Sequence, residues 1–233
     1  MSFHYSPKVI TDGLIFCVDA ANSRSYVISS TTWNDLTYNL NVGTLTNGTT
    51  YSTSNGGVLS FDGVDDYVYF SNSGQFTPPN ISIEVWLKPN NTASPYNQNF
   101  LRLESGILPA LLMAFQDGGN TLGFGMATSN DGYGELDVTI NGSDYNGKWK
   151  HIMATYTSGA KKLYVNGTLV GQDLTLTGTL VPNNSNPMSI GSWILNTSES
   201  FNGDIAITRI YNKALSSTEV LQNYNAIKGR FGL

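Results

Sequence analysis

The stretch Leu59-Ser60-Phe61-Asp62-Gly63-Val64-Asp65-Asp66-Tyr67-Val68-Tyr69-Phe70 decides the fold of this chain. It reads as a hairpin, two short β-runs joined by an acidic turn. Leu59 and Phe61 point to one side of the first run, and Val68 and Phe70 are their apolar counterparts in the second. Asp62-Gly63 supplies the positive-φ position that a tight turn needs. Asp65 and Asp66 then bring the number of carboxylates to three within five residues. Their mutual repulsion has to be offset by water, by backbone N–H groups or by a cation.

Outward from this turn, Phe61-Asp62-Gly63-Val64-Asp65-Asp66-Tyr67-Val68 resembles the signature of concanavalin A-like lectin/glucanase domains of the laminin-G-like type. Three later stretches extend the resemblance. Ile81-Ser82-Ile83-Glu84-Val85-Trp86-Leu87-Lys88-Pro89 is similar to the family's T-I-E-x-W-x-K-P strand. Trp149 to Tyr156, with Leu163-Tyr164-Val165-Asn166-Gly167, resembles W-x-H-V-A-x-Y followed by L-Y-V-N-G. Ile210-Tyr211-Asn212-Lys213-Ala214-Leu215-Ser216-Ser217-Thr218-Glu219-Val220 resembles the closing segment. The opening, Ser6 to Tyr26, is similar to the start of lectin-like domains in tailed-phage virion proteins. The resemblance runs from about Asp12 to Gly232 and implies an all-β jelly roll.

Composition agrees with that class. The chain has 233 residues, of which 12% are charged and 12% aromatic. Disordered chains show the reverse, high charge with few aromatics. Low charge with many Asn, Ser, Thr and Gly residues points to strands linked by polar turns. The net charge is −5, and no basic run exceeds Lys161-Lys162. Phosphate-driven nucleic-acid binding is therefore not expected. Cys17 is the single cysteine, so no intrachain disulfide is expected. No apolar run reaches a membrane span. Met1 to Tyr5 lacks a basic start, which gives the expectation of synthesis in a host cytoplasm without a signal peptide.

Along the chain, residues 1–11 read as an N-terminal arm and 12–233 as one domain. Gly13 to Ala20 reads as a central strand, apolar on both faces. Thr37 to Gly57 is polar and turn-rich, and reads as a long irregular connection. In Ile81 to Lys88, Ile81, Ile83, Val85 and Leu87 form one face and Ser82, Glu84, Trp86 and Lys88 the other. Further strands are expected at 100–104, 111–116, 122–127, 135–140, 148–156, 188–191 and 201–211. Asn166-Gly167 between alternating runs predicts a type I′ hairpin. Ser216 and Glu219 form a capping box for one C-terminal helix. Val220, Tyr224 and Ile227, with Leu221 beside them, make its apolar face, and Gly229 its stop. The expected fold is a single two-sheet antiparallel jelly-roll sandwich with one short C-terminal α-helix.

Four kinds of chemistry can be weighed. Glycoside hydrolysis needs two carboxylates flanking the bond, and laminarinase-type relatives carry Glu-x-Asp-x-Glu on one strand. Only Glu135-Leu136-Asp137 begins that pattern; Val138, Thr139 and Ile140 follow, and the second glutamate is missing. His151 matches a strand histidine of the family, which implies a structural position. A structural calcium ion is implied by the resemblance, with Asp62, Asp65 and Asp66 as hard oxygen ligands. The family's further aspartate falls at Ala206, with Asp204 two residues away on the same side of the strand. The alternative is that these aspartates cap turn N–H groups.

Glycan binding, the fourth, needs an aromatic platform among hydrogen-bonding groups. Tyr96, Tyr133, Tyr145 and Trp193 sit in expected loops with such neighbours, whereas Trp33 and Trp149 read as core. The sequence thus reads as a non-enzymatic adhesion module that binds host-surface or environmental glycans from a phage virion surface, in several copies. The alternative is a structural virion piece that binds other virion proteins.

Overall fold

The computed structural model describes residues 7–71, 74–104, 109–182, 186–195 and 197–233. The described residues form sixteen strands: β1 (Leu14–Asp19), β2 (Thr32–Asn34), β3 (Val42–Thr46), β4 (Thr50–Ser52), β5 (Val58–Asp62), β6 (Tyr67–Phe70), β7 (Ile81–Pro89), β8 (Gln98–Glu104), β9 (Pro109–Gln116), β10 (Thr121–Thr128), β11 (Gly132–Thr139), β12 (Lys150–Thr157), β13 (Ala160–Val165), β14 (Thr168–Asp173), β15 (Met188–Ile190) and β16 (Asn202–Tyr211). The helix α1 (Ser217–Ile227) follows. The first sheet runs β14-β13-β12-β7-β16-β5-β4, with β1 also on β16; the second runs β11-β10-β9-β8-β15-β6-β3-β2. Every pairing between these strands is antiparallel. This is the expected sandwich.

The acidic turn is not a hairpin. β5 pairs with β4 and β16, and β6 pairs with β3 and β15. The turn between them is an arch from one sheet to the other. Leu59 and Phe61 therefore meet Val68 and Phe70 across the core rather than side by side. The apolar spacing is the same for a hairpin and an arch, because in both the inward residues converge on one core.

Ile81, Ile83, Val85 and Leu87 lie in that core. The opposite face of β7 is buried too, since Ser82, Glu84 and Trp86 are each 0% exposed. The chain's C-terminus covers them. Trp86 stacks on Phe231 at 4.6 Å and on Tyr224 at 6.0 Å. Glu84 accepts from Arg209 at 2.8 Å, Trp86 Nε1 at 2.9 Å and Asn223 at 2.9 Å. Asn223, on α1, in turn accepts from the backbone N–H of Ile10. Gln222 donates to the Lys8 carbonyl, so the described end of the arm folds back onto its own sandwich. The rest of the expected arm, residues 1–6, lies outside the described residues.

The Asn166-Gly167 turn has φ of 51° and 77°, as a type I′ turn requires. The capping box of Ser216 and Glu219 is formed in both directions. Three expectations need correction. The segment 37–57 contains β3 and β4, which are short, polar and lack a clear period. Leu221 is 46% exposed, and the buried positions of α1 are Val220 and Asn223. The helix ends at Ile227, and the left-handed residue is Gly232 after a further 3-10 turn, not Gly229. No helix among the described residues is long and apolar enough to cross a membrane.

Candidate glycan-binding face

The second sheet presents its outer face along β8, β9, β10 and β11. Strand registers bring Ser189, Arg102, Leu112, Gly125 and Glu135 into one row across it. The neighbouring row runs Asn99, Ala114, Gly123 and Asp137. Alternation along β10 puts Leu122, Phe124 and Met126 in the core and leaves Gly123 and Gly125 facing outward.

Those two glycines form a floor on which larger side chains lie flat. A Cβ on Gly125 would sit 2.0 Å from the Tyr133 hydroxyl, and one on Gly123 2.4 Å from Gln116 Oε1. Over this floor Gln116 donates to Glu135 Oε1 at 2.6 Å, and the Tyr133 hydroxyl donates to Glu135 Oε2 at 3.0 Å. Tyr133 and Glu135 remain partly exposed, and Asp137 is exposed.

On the other side of β9, Arg102 donates to Glu104 Oε1 at 2.6 Å and lies 3.8 Å from Glu199. The Trp193 indole stacks over its guanidinium, 4.0 Å from the ring centre. Asn99 holds Glu199 through a side-chain hydrogen bond of 2.9 Å. Among the described residues, Glu104 Oε2 and Trp193 Nε1 are buried with no hydrogen-bond partner. A buried acceptor and a buried donor thus flank the stacked pair, out of reach of a ligand on the face.

Burial sets the electrostatics here. It pushes the Glu135 carboxyl up, and Asp137 adds to the shift, against hydrogen bonds from Gln116 and Tyr133. Burial also raises the Asp137 carboxyl, with Asp117 adding to it. Glu104 is raised by burial despite Arg102. The Tyr133 hydroxyl is pushed far up by burial and by the Glu135 carboxylate, so it stays a donor.

Of the four aromatic residues singled out in the sequence, this face gathers Tyr133 and Trp193. Tyr133 lies in β11 rather than in a loop. Tyr96 is 56% exposed in the β7–β8 connection, at the end of β8 away from Arg102. Tyr145 is 7% exposed and packs edge-on against Phe115 at 5.7 Å, so it is a core residue and offers no open ring. The sequence reading missed Arg102, Gln116 and the glycine floor. Alternating glycines inside an apolar strand are the signal for that floor, since Gly in a strand interior marks close approach of another group.

Asp62, Asp65 and Asp66 do converge, with ligand oxygens within 4.8 Å of one another. Oxygens of Asp62 and Asp66 are already engaged by the arch. Asp66 accepts from the N–H groups of Gly48 at 2.6 Å and Asp62 at 3.0 Å, and Asp62 accepts from Val64 N–H at 2.7 Å. Asp204 does not join them: it is paired with Lys88 at 2.8 Å and accepts from Ser60 at 2.6 Å. Ala206 is buried with Trp86 and Phe231. Three of the four carboxylates therefore stand together and Asp204 stands apart, while Asp62 and Asp66 cap turn N–H groups.

His151 and Glu84 belong to the other sheet. His151 Nε2 is 3.4 Å from Glu84 Oε1, wholly buried beneath α1. Burial by itself would raise the Glu84 carboxyl, but Arg209, His151 and Trp86 outweigh it and hold the group at about 2. No substrate reaches this network.

Among solved structures, the receptor-binding domain of botulinum neurotoxin type G is similar over 91% of this chain and 51% of that one, at 17% identity and a TM-score of 0.69. Domain 4 of AbnA, a GH43 extracellular arabinanase from Geobacillus stearothermophilus solved with arabinotriose, matches over 91% of this chain and 98% of that one, at 20% identity and a TM-score of 0.66. The binding domain of botulinum neurotoxin DC in complex with SialylT matches over 94% of this chain and 52% of that one, at 14% identity and a TM-score of 0.71. The chain thus spans about half the length of the toxin domains. At these identities the likeness shows the fold. Among curated proteins none matches the sequence. The family model described as the concanavalin A-like lectin/glucanases superfamily, of laminin-G type, matches residues 62–221. With the two-sheet architecture and the four motif stretches in place, the chain belongs to the laminin-G-like part of the concanavalin A-like lectin/glucanase superfamily.

Proposed function

We propose that this chain is a non-enzymatic glycan-binding module and that sugars bind on the outer face of the second sheet, between Trp193 and Tyr133. The observation that carries this reading is the platform itself: two partly exposed aromatic rings on one face, with Gln116 and Glu135 held flat over a glycine floor between strands. Sugar recognition uses this combination, apolar ring faces for C–H surfaces and fixed polar groups for hydroxyls. Two of the similar structures were solved with a named glycan ligand, which supports the reading for the fold. The setting we propose is a tailed-phage particle, on the resemblance of the opening segment; display in several copies would raise avidity.

A glycan array of neutral and charged polysaccharides tests the module. Wild-type protein binds at least one class, and Trp193→Ala and Gly125→Val each weaken that binding by about tenfold or more while melting cooperatively. An array without any bound glycan, or variants that bind as tightly as wild type, would contradict the proposal.

A second reading has one specific observation behind it. Glu135 and Asp137 lie side by side on the same face, both with raised carboxyl affinities for protons. A hydrolase would use such a pair. However, both oxygens of Glu135 already accept hydrogen bonds. Incubation with β-glucans, galactans and alginates therefore releases no reducing ends; release that Glu135→Gln abolishes would establish the hydrolase instead.

A further inference from the structure

The charge layout of the sandwich points to the class of glycan. We infer that the second sheet's outer face selects neutral or amine-bearing glycans and rejects those carrying carboxylate or sulfate. The inference rests on the proposed binding face and adds its selectivity.

Arg102 is the sole basic residue in the eight strands of this sheet. It is 6% exposed, ion-paired with Glu104 and covered by Trp193. Its charge is spent inside the protein. Lys161 influences Glu135 and Asp137, but from the far side of β11. It is 0% exposed, donates to the Gly134 carbonyl at 2.9 Å, and lies over the core ring of Phe124. A ligand on the outer face cannot reach it. The same face and its edge carry Glu104, Glu135, Asp137, Asp117 and Glu199. The basic residues Lys88, Lys150, Lys162 and Arg209 all belong to strands of the other sheet.

An acidic sugar on this platform would bring a fixed negative charge toward Glu135 and Asp137, with no free cation among the described residues of the face to receive it. In a partly desolvated site that repulsion is stronger than in bulk water, and like charges placed opposite each other act as a specificity device. A hydroxyl or a protonated amine meets no such penalty. Carboxylates accept from both.

The test compares pairs in which one member carries carboxylates: 3′-sialyllactose against lactose, and polygalacturonate against its methyl ester. Binding to the full chain is measured at low ionic strength, where electrostatic discrimination is largest. The neutral member binds at least about tenfold tighter in every pair that binds. Asp137→Lys moves the ratio of acidic to neutral binding upward by about tenfold. Equal or tighter binding of the acidic members by wild type, or an unchanged ratio in Asp137→Lys, would overturn the selectivity while leaving a glycan-binding module in place. If no member of any pair and no array glycan binds, the binding face itself is refuted and the selectivity falls with it.

Discussion

At the residue scale, Glu84 shows how a strand position that looks polar in sequence is kept polar in a core. Its charge is compensated by Arg209, Trp86 and Asn223, so removing it leaves a buried guanidinium unpaired. Glu84→Gln should cost about 3–5 kcal/mol, read as a lowered midpoint in denaturant. The sign with pH follows from the carboxyl being held below its ordinary 4.5, at about 2. The ionised group is favoured in the folded state. Its stabilisation is therefore complete above about pH 4.5 and is lost as pH falls from there toward 2. The stability difference between wild type and Glu84→Gln should shrink across that window; parallel curves down to pH 2.5 would exclude the mechanism. None of this network was legible in the sequence beyond Glu84 standing beside Trp86, because Arg209 and Asn223 are distant in the chain. The glycine floor was legible in principle. Gly123 and Gly125 alternate in an otherwise apolar strand, but what lies over them comes from β9 and β11.

At the element scale, periodicity located the long strands and missed the short ones. β7 alternates cleanly, and Ile83 is wholly buried in the core. Ile83→Asp should leave an unpaired carboxylate there and abolish soluble, cooperatively melting protein. β3 and β4 were hidden because each has few inward side chains; in β3 one such position is Gly43, which makes room for the Phe70 ring. The arch between β5 and β6 was misread as a hairpin for a different reason. Turn chemistry is local, whereas which sheet each strand joins is decided by partners more than a hundred residues away, such as β15 and β16. At α1, the capping box was fully legible, since Ser216 and Glu219 are neighbours in sequence. Ser216→Ala should cost about 1 kcal/mol and loosen the cover over Trp86. A melting curve identical to wild type would mean that the helix is held by packing alone.

At the scale of the whole molecule, two faces have been put to different uses. The first sheet is roofed by the C-terminus and carries the polar network; the second leaves its outer face partly open, with aromatic and acidic groups. The sandwich was legible from short motif stretches, because each of them marks a strand or turn that the fold places at a fixed point. The binding face was half legible: Tyr133 and Trp193 were singled out, while Tyr145 proved to be core and Tyr96 stands at the far end of β8. Asp62 and Asp66 at the arch cap backbone N–H groups, and Asp204 is tied to Lys88. Calcium or a chelator should therefore change the melting temperature by less than about 1 °C, since only a ligand that binds the folded state raises it; a calcium-dependent rise of several degrees would restore the metal reading.

The central claim is that glycans bind between Trp193 and Tyr133, and amide and indole NMR shifts on titration with a bound neutral oligosaccharide test it most directly. The account predicts that the Trp193 indole N–H and the amides of β8 to β11 around Arg102, Gly125 and Glu135 move together and saturate with one affinity, while the Trp33, Trp86 and Trp149 indoles stay in place. Shifts centred elsewhere, for example on the stacked Tyr26–Tyr51 pair, with Trp193 unmoved, would contradict it.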